Sequence, residues 1–385
     1  MKRISMKICA IICEYNPFHN GHLYQLREAK RLSGADAVLC IMSGNFTQRG
    51  EAAIAEKHLR AKHAILAGAD AVIELPTPFA TSNAELFAKG AIHILSAIPA
   101  VKTLCFGAEN AEKSAFLLGA KYLNDEPQEV SAKIKAGIAA GESYAKARAQ
   151  AFADLVPFDL LSSPNNILGL EYTRAILSKD ADIEILPLQR VGGNYNDATL
   201  HANFSSATAI RKAIQNGSSV SENLPDFVLP DIIHTRIKGL DTLVKYALLS
   251  HSLSEIKSVC DCTEGLENAL KRAAEENQSI ESLVSARYTA SRLRRIALQN
   301  LLRIDEGLIR DCLSTPLYLR VLAIKKNLPA LLSELAKSEF PLLIRAHDEE
   351  VLSTSASKCY QRDLFAENVY SILSNNTATE RTLFV

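Results

Sequence analysis

The sequence lacks an excess of either charge, because its 43 lysines and arginines are balanced by 43 aspartates and glutamates. A net charge of zero excludes a uniformly basic nucleic-acid-binding protein, although it permits one basic face. The sequence also lacks an uninterrupted apolar run long enough to span a membrane, and no signal peptide stands at its start. We therefore expect a cytoplasmic protein with reduced thiols and no membrane association.

The eight cysteines lack the spacing of a zinc site. Most of the early ones lie inside apolar runs, where cysteine behaves as a small hydrophobic residue. Cys260 and Cys262 are too close together and too isolated to supply four ligands. We therefore assign no residue to a metal site.

The first half of the chain alternates short apolar runs with segments of helical periodicity. With 385 residues, 48% of them hydrophobic, the chain is long enough for two domains or one large one. The runs predict strands at Ile8 to Cys13, Ala37 to Met42, Ala71 to Leu75, Val101 to Phe106 and Ile183 to Leu188, with helices that include residues 56–67, 84–96 and a long stretch from about 110 to 155. This alternation predicts an α/β fold, a doubly wound parallel sheet whose ligands lie beyond the carboxyl ends of its strands.

The pattern changes after residues 216–219, which we interpret as a boundary zone. Glycines become rare and leucine-rich helical spacing continues, which predicts helices at residues 241–253, 280–302, 316–325 and 330–338. The sequence therefore predicts two domains, an α/β domain over residues 1–220 and an all-helical C-terminal domain over residues 221–385.

The turn after the first strand, residues 14–22 with the sequence EYNPFHNGH, carries the strongest chemical signal. A strand that ends in such a turn and opens into a helix directs unpaired N–H groups at a ligand, which suits phosphate. His19 and His22 flank Gly21, so both rings can face one anion while the ligand approaches the backbone. Two other interpretations are a turn with two solvated histidines and a zinc-binding pair, although a matching third ligand is missing nearby.

Polar or glycine residues also follow other predicted strands. Residues 43–50 follow the second strand, Gly107 lies at the end of the fourth, and Arg190 leaves the fifth. A glycine lets a nucleoside lie against bare backbone, and a guanidinium suits phosphate. Gly107 is otherwise an ordinary turn glycine.

Two predicted helix starts carry amides or hydroxyls. Asn165 and Asn166 begin one helix, and on local chemistry alone they are caps. Residues 205–212, SSATAIRK, place hydroxyls at the start of another helix and Arg211 one turn later. That arrangement suits phosphate binding, although taken alone it is also a plain helix cap.

These motifs resemble those of a known family. The HxGH pattern of residues 19–22 resembles the nucleotidyltransferase superfamily, which cleaves ATP or CTP between the α and β phosphates, and residues 205–212 resemble its second signature, ISSTxIR. The longer string EYNPFHNGH is similar to the tRNA(Met) cytidine acetate ligases, which activate acetate as acetyl-adenylate and acetylate the wobble cytidine of elongator tRNA(Met). The second signature departs from the family at Ser205, which replaces isoleucine, and at Ala207, which replaces serine.

The resemblance implies a Rossmann-like catalytic domain, ATP as substrate, Mg²⁺ with unidentified ligands, acetate and elongator tRNA(Met) as partners, and no obligate protein partner. It implies that His19 and His22 are catalytic. The ATP-binding residues that it implies are Ile12, Cys13, Glu14, Tyr15, Asn16, Pro17, Phe18, His19, Asn20, Gly21, His22, Leu23, Tyr24, Gln25, Gly107, Asn165, Arg190, Ser206, Thr208 and Arg211. Because the segment from Met6 resembles family N-termini, we interpret residues 1–5 as an upstream extension or a disordered segment.

An arginine-rich segment stands out in the helical half. Arg287, Arg292, Arg294 and Arg295 lie close to Tyr288 on one predicted helix. A basic helix face is often only solvated, but beside a nucleotide-binding domain in a protein of zero net charge it predicts contact with tRNA phosphates.

Two other functions stay open at this point. An adenylyl- or cytidylyltransferase acting on a small phosphorylated coenzyme precursor needs little beyond the α/β unit, so the long helical region argues against it. A non-catalytic ATP-binding adaptor would not need His19, Gly21 and His22 intact.

Overall fold

The computed structural model describes residues 6–142, 144–190, 200, 204–232, 237–285, 287–345, 347–375 and 382–385. Residues 1–5, interpreted above as an extension or a disordered segment, lie outside this part of the chain. Within it, no helix combines the length and the apolar character needed to cross a membrane.

Strands and helices alternate through the first half of the chain, and helices dominate the second. The strands are β1 (Ile8–Cys13), β2 (Ala37–Ser43), β3 (Ala71–Leu75), β4 (Val101–Ala108), β5 (Glu184–Gln189), β6 (Leu319–Ile324), β7 (Leu342–Leu343) and β8 (Leu383–Phe384). The helices are α1 (Asn20–Ser33), α2 (Lys57–Ala67), α3 (Thr77–Ala80), α4 (Ala84–Ser96), α5 (Lys113–Asn124), α6 (Gln128–Ala139), α7 (Tyr144–Ala151), α8 (Phe158–Ser162), α9 (Pro164–Ser178), α10 (Ala207–Gln215), α11 (Leu229–Ile232), α12 (Leu240–Ser250), α13 (Leu253–Lys257), α14 (Leu266–Glu275), α15 (Ala290–Leu302), α16 (Glu306–Ser314), α17 (Pro329–Leu335) and α18 (Thr354–Ser374). Short 3₁₀ turns lie at Ser221–Asn223, Ile280–Leu283 and Asp348–Val351.

The strands form one sheet in the order β5-β4-β1-β2-β3-β6-β7, with β8 paired to β6. Neighbours among β1 to β5 are all parallel, and Ile11 in the middle of β1 lies opposite Cys40 on one side and Cys105 on the other. Because the chain passes to opposite sides of β1, a crevice opens at the carboxyl ends of β1 and β4. The predicted doubly wound parallel sheet is confirmed.

Both faces of the sheet are buried, as short all-apolar strands require. On one face, Ile8, Ala10 and Ile12 join a core with α4, α9 and helices of the second half. On the other face, Cys9 and Ile11 join a second core with α1, α2 and α10. The crevice therefore lies at the carboxyl edge of the sheet, between the helices that cover its two faces.

The stretch predicted as a helix over residues 316–325 is instead β6, so that prediction is wrong. All six residues of β6 are buried, and Ala323 pairs antiparallel with Val72 of β3. A short apolar run fits a strand or a buried helical turn equally well, and here the free edge of β3 decides between them. The domain predicted as all-helical is therefore mostly helical, with β6, β7 and β8 as its strands. The helix predicted over residues 280–302 is divided into the 3₁₀ turn Ile280–Leu283 and α15. The domain boundary near residue 220 stays a prediction.

The long helical stretch predicted from about 110 to 155 is divided into α5, α6 and α7. Pro127 is the N-cap residue of α6. Because proline has no N–H, it cannot continue the hydrogen bonds of a preceding helical turn. Gly141 follows α6 with a φ of 91°, in the left-handed region that favours glycine. Helical periodicity alone did not show these two breaks.

A buried ion cluster fastens the C-terminal half to the sheet. Lys57 of α2 lies 2.7 Å from Glu74 of β3 and 2.5 Å from Glu367 of α18. Arg320 of β6 contacts the same two carboxylates at 3.1 and 3.2 Å. These side chains are at most 6% exposed, so the cluster depends on the balance of its two cations and two carboxylates.

Candidate active site

The turn between β1 and α1 is anchored in the protein interior. Tyr15 adopts a left-handed φ of 50°, and its ring packs edge-on against Phe18 with centroids 4.9 Å apart. The side-chain oxygen of Asn16 accepts a hydrogen bond of 2.7 Å from the N–H of Ile54. The turn is therefore held rigidly at the point where it enters α1.

The two histidines of the HxGH pattern form a stacked pair at the start of α1. Nδ1 of His19 accepts from the N–H of Gly21 at 3.1 Å, and Nδ1 of His22 accepts from the N–H of His19 at 3.3 Å. The ring centroids are 3.6 Å apart. Because each Nδ1 accepts a backbone N–H, the proton of each neutral ring is on Nε2, which is left to donate to a ligand.

Both imidazoles are neutral at physiological pH. Burial, assisted by the nearby Arg190, lowers the pKa of His19 from 6.5 to about 3. Burial, together with His19 and Arg190, lowers the pKa of His22 well below its ordinary value. The pair therefore offers two N–H donors to an anion and adds no positive charge of its own.

A cleft opens at the predicted crevice and has two lobes. The larger lobe encloses about 990 Å³ of empty space, its open mouth included. The smaller lobe shares His22, Gln25, Gly107 and Arg190 with the larger one. The predicted ATP-binding residues that line one lobe or the other are Ile12, Cys13, Glu14, Tyr15, Asn16, His19, Gly21, His22, Tyr24, Gln25, Gly107, Asn165, Arg190, Ser206, Thr208 and Arg211.

Four predicted residues, Pro17, Phe18, Asn20 and Leu23, line neither lobe. Phe18 is fully buried, with its ring centroid 5.6 Å from that of His22. The side-chain nitrogen of Asn20 donates to the main-chain oxygen of Glu222 at 2.8 Å. Phe18 and Asn20 therefore support the turn, and direct contact of all four residues with ATP stays a prediction.

A second helix start borders the cleft. The Oγ of Ser206 accepts from the N–H of Ala209 and so caps α10. Arg211, one turn further on, donates from Nη1 to the main-chain oxygen of Asn16 at 2.8 Å. The starts of α1 and α10 thus border one cleft, and the positive ends of two helix dipoles favour an anion there.

The choice of Asn165 over Asn166 agrees with the geometry. Asn165 lines the cleft, and its amide donates to Glu109 Oε1 at 2.6 Å. Asn166 is fully buried, and its side-chain oxygen accepts from the N–H groups of Glu109 and Asn110 at 2.9 and 3.2 Å. Asn166 therefore has a structural task that Asn165 does not share.

Gly107 lines both lobes of the cleft. A Cβ atom built there would meet Arg190 Cγ at 3.5 Å, which is an ordinary contact distance. Because the protein itself has room for a side chain at this position, the bare backbone is most useful to a bound ligand.

An aromatic wall, which the sequence did not reveal, forms the buried end of the larger lobe. Phe87, Phe106, Leu168 and Tyr172 line it, with the rings of Phe106 and Tyr172 5.9 Å apart. Their sequence surroundings match those of ordinary core residues, so no separate signal marked them. Gln48 and Arg49 also line the lobe, and their place after β2 was the signal for that loop.

Among the described residues that line the cleft, Glu14 is the one with a carboxylate. Its Oε1 accepts from the N–H of Gln48 at 2.7 Å. Burial raises the pKa of Glu14, and Arg49 and Arg211 oppose that shift. Within the described residues, no group of three or more histidine, cysteine or acidic side chains is arranged to hold a metal ion. Mg²⁺ could use this carboxylate because it often takes only one or two protein ligands beside substrate phosphates.

The arginine-rich segment differs from the open basic face expected from the sequence. Arg292 donates to the main-chain oxygen of Asp261 at 2.9 Å. Arg294 binds Glu51 and Glu281, and Arg295 is half-buried with Nη1 3.5 Å from the main-chain oxygen of residue 48. Arg287 is exposed. Contact of these four arginines with tRNA stays a prediction.

Comparison with known proteins gives matches over nearly the whole chain. Residues 6–383 match a family model described as HIGH Nucleotidyl Transferase. The chain is 35% identical over 399 residues to a tRNA(Met) cytidine acetate ligase of Caldanaerobacter subterraneus subsp. tengcongensis, with 98% of each chain covered. It is 37% identical over 370 residues to a tRNA(Met) cytidine acetate ligase of Acetivibrio thermocellus, with 89% of each covered.

Two solved structures of Thermotoga maritima TmcAL share the fold. The apo structure, form I, superposes with a TM-score of 0.89 at 27% sequence identity, covering 99% of this chain and 100% of that one. The structure bound with alpha-thio ATP, form II, gives a TM-score of 0.88 at 28% identity with the same coverage. In the second structure, that protein therefore holds an ATP analogue within the same fold.

Proposed function

Since this chain belongs to the HIGH nucleotidyl transferase family, among its tRNA(Met) cytidine acetate ligases, we propose that it activates acetate with ATP and acetylates elongator tRNA(Met). In the first step acetate and ATP give acetyl-adenylate and pyrophosphate. In the second step the exocyclic amine of the wobble cytidine takes the acetyl group, and AMP is released. The observation that carries the proposal is the stacked pair of neutral histidines, which faces a cleft bordered by two helix starts.

Activation follows from the charge that develops on the phosphates. An acetate oxygen attacks the α-phosphorus, and the bond to the bridging oxygen of pyrophosphate breaks in line with it. His19 and His22 donate from Nε2 to phosphate oxygens, while Arg211 and the N–H groups at the start of α10 balance the charge on the leaving group. No covalent enzyme intermediate is required, because the attacking carboxylate is itself the nucleophile.

Transfer requires that the mixed anhydride survive until the tRNA arrives. The cytidine amine attacks the acetyl carbon, the amine loses a proton, and AMP leaves with its phosphate oxygen. The aromatic wall of Phe87, Phe106 and Tyr172 limits water at the inner end of the cleft, which protects the anhydride from hydrolysis.

We also propose that the enzyme acts in the cytoplasm and that Mg²⁺ accompanies ATP. Glu14 is the residue that would hold the ion together with the phosphates, and the ion would offset phosphate charge. Arg287 is the residue best placed to meet tRNA phosphates, because it is exposed whereas Arg292 and Arg294 bind partners within the protein.

Pyrophosphate exchange into ATP, measured with and without acetate, tests the activation step. Exchange that depends on acetate supports the proposal. Exchange that depends instead on a phosphorylated small molecule would establish a coenzyme-precursor nucleotidyltransferase. ATP binding without exchange under any condition would leave a non-catalytic adaptor.

A His22→Ala variant is expected to lose exchange while it stays folded, because it removes one phosphate donor and leaves the His19 cap of α1 in place. A matched control is His251→Ala, since His251 contacts Asn300 in the helical half, away from the cleft. The control should exchange at the wild-type rate. Normal exchange by the His22 variant would contradict the assigned role.

A further inference from the structure

Glu51 lies between two arginines that belong to different parts of the protein. Its Oε1 is 2.6 Å from Nη1 of Arg294 on α15, and its Oε2 is 3.4 Å from Nη2 of Arg211 on α10. Arg211 lines the cleft, whereas Arg294 belongs to the arginine-rich segment. One carboxylate thus joins the phosphate side of the cleft to the helical half of the chain.

The position of Glu51 is fixed by its own loop. The N–H and Oγ1 of Thr47 both donate to the main-chain oxygen of Glu51, at 3.0 and 3.2 Å. Gly50 has a φ of 73°, and a Cβ built on it would come within 2.5 Å of the main-chain carbon of Arg294. The loop therefore sits directly on the backbone of α15, in a conformation that requires glycine at this point.

The guanidinium of Arg211 is held from two sides. Nη1 donates to the main-chain oxygen of Asn16 in the β1–α1 turn, and Nη2 meets the carboxylate of Glu51. These two acceptors belong to separate loops, so together they limit rotation of the guanidinium about the long side chain. An arginine held in this way loses less conformational freedom when it binds a phosphate.

We propose that Glu51 is a positioning residue that orients Arg211 toward the ATP phosphates, and that Arg294 supports it from α15. The proposal rests on the function proposed above only for the kinetic part of its test. Arg294 then acts in the nucleotide step. As part of an open basic face, it would act only in tRNA binding. RNA phosphates that draw Arg294 away from Glu51 would then change the affinity for ATP. By linkage, ATP would change the affinity for RNA by the same factor.

The first test compares ATP with adenosine, which lacks phosphates. In Glu51→Gln, the dissociation constant of ATP is expected to rise about tenfold, as for a lost charge-assisted contact, while that of adenosine stays within about twofold. Glu281→Gln is the matched control, because Glu281 contacts Arg294 but not Arg211. The control should bind both ligands as the wild type does.

Three outcomes of the first test overturn the proposal. Unchanged ATP binding in Glu51→Gln would mean that Glu51 does not position Arg211. Equal loss of ATP and adenosine binding in Glu51→Gln would mean a general structural role. Tighter ATP binding would mean that Glu51 acts only as an opposing charge near the phosphates. Neither readout requires acetate or tRNA, so the proposal is judged even if the wild type shows no acetate-dependent exchange.

The second test uses exchange kinetics. Arg294→Gln is expected to lower kcat/KM for ATP by a smaller factor than Glu51→Gln. The double variant should have the same kcat/KM for ATP as Glu51→Gln, because both changes act through one carboxylate. Additive losses would refute the support role of Arg294. If Glu51→Gln does not fold, Arg294→Gln compared with Glu281→Gln decides the question, since only the former should weaken ATP binding relative to adenosine.

Discussion

Replacing His19 by glutamine should remove a measurable part of the pH dependence of stability. The folded pKa of His19 lies at about 3, below its ordinary value of 6.5, because the ring is buried. Between these two values the unfolded chain binds more protons than the folded one, so the free energy of unfolding falls as the pH drops below 6.5. His19→Gln cannot take up that proton.

The size of the effect follows from the unfolded state. At pH 5, the ring is protonated in the unfolded chain and neutral in the folded chain. The free energy of unfolding therefore falls by about 1.4 kcal/mol for each pH unit below the ordinary pKa of the ring. His19 therefore lowers the free energy of unfolding by about 2 kcal/mol between pH 8 and pH 5. This figure hardly depends on the folded pKa, provided that it stays below about 4.

Equilibrium urea unfolding at pH 8 and pH 5 measures the effect. The loss of stability between the two pH values should be about 2 kcal/mol smaller in His19→Gln than in the wild type. Asn20→Ala is the control, because it changes a neighbouring side chain that does not titrate. If His19→Gln and the wild type lose the same amount, burial does not lower the pKa of His19, and the ring is charged in the folded protein at pH 5.

Two further substitutions test the packing around the site and the buried ion cluster. Gly21→Ala should lower acetate-dependent exchange by on the order of tenfold to a hundredfold, with little change in melting temperature. The reason is that the new Cβ would come within 2.9 Å of His19 Cε1 and displace the ring. Unchanged exchange would show that the ring position is not critical. Glu367→Gln should lower the free energy of unfolding by about 3–5 kcal/mol in urea titrations, since it removes one of the two carboxylates that pair with both buried cations. Asp182→Asn, which breaks an exposed pair, should cost far less, and equal losses would mean that burial of the cluster is unimportant.

Much of the α/β half could be predicted because local pattern and global fold agree there. Five apolar runs became β1 to β5 within two residues at each end, and the helix predicted over residues 84–96 is α4. Strand-end chemistry also placed His22, Gly107 and Arg190 on one cleft, because parallel strands deliver their carboxyl ends to one edge.

Features that depend on distant partners could not be predicted in the same way. β6 became a strand because β3 offered a free edge, and that edge is far away in the sequence. Arg292 and Arg294 looked like a solvated or tRNA-binding face, yet Asp261 and Glu51 bind them. The spacing of the histidines indicated a shared ligand, but it did not reveal which ring nitrogen carries each proton.

The place of β6 in the sheet has a consequence for synthesis of the protein. The outer edge of β3 gains its partner only when residues 319–324 have left the ribosome, after most of the chain has been made. Until then, unpaired N–H and C=O groups of β3 can pair with another nascent chain. A fragment that ends near residue 220 would keep that edge open permanently, so we expect it to aggregate where the full chain does not.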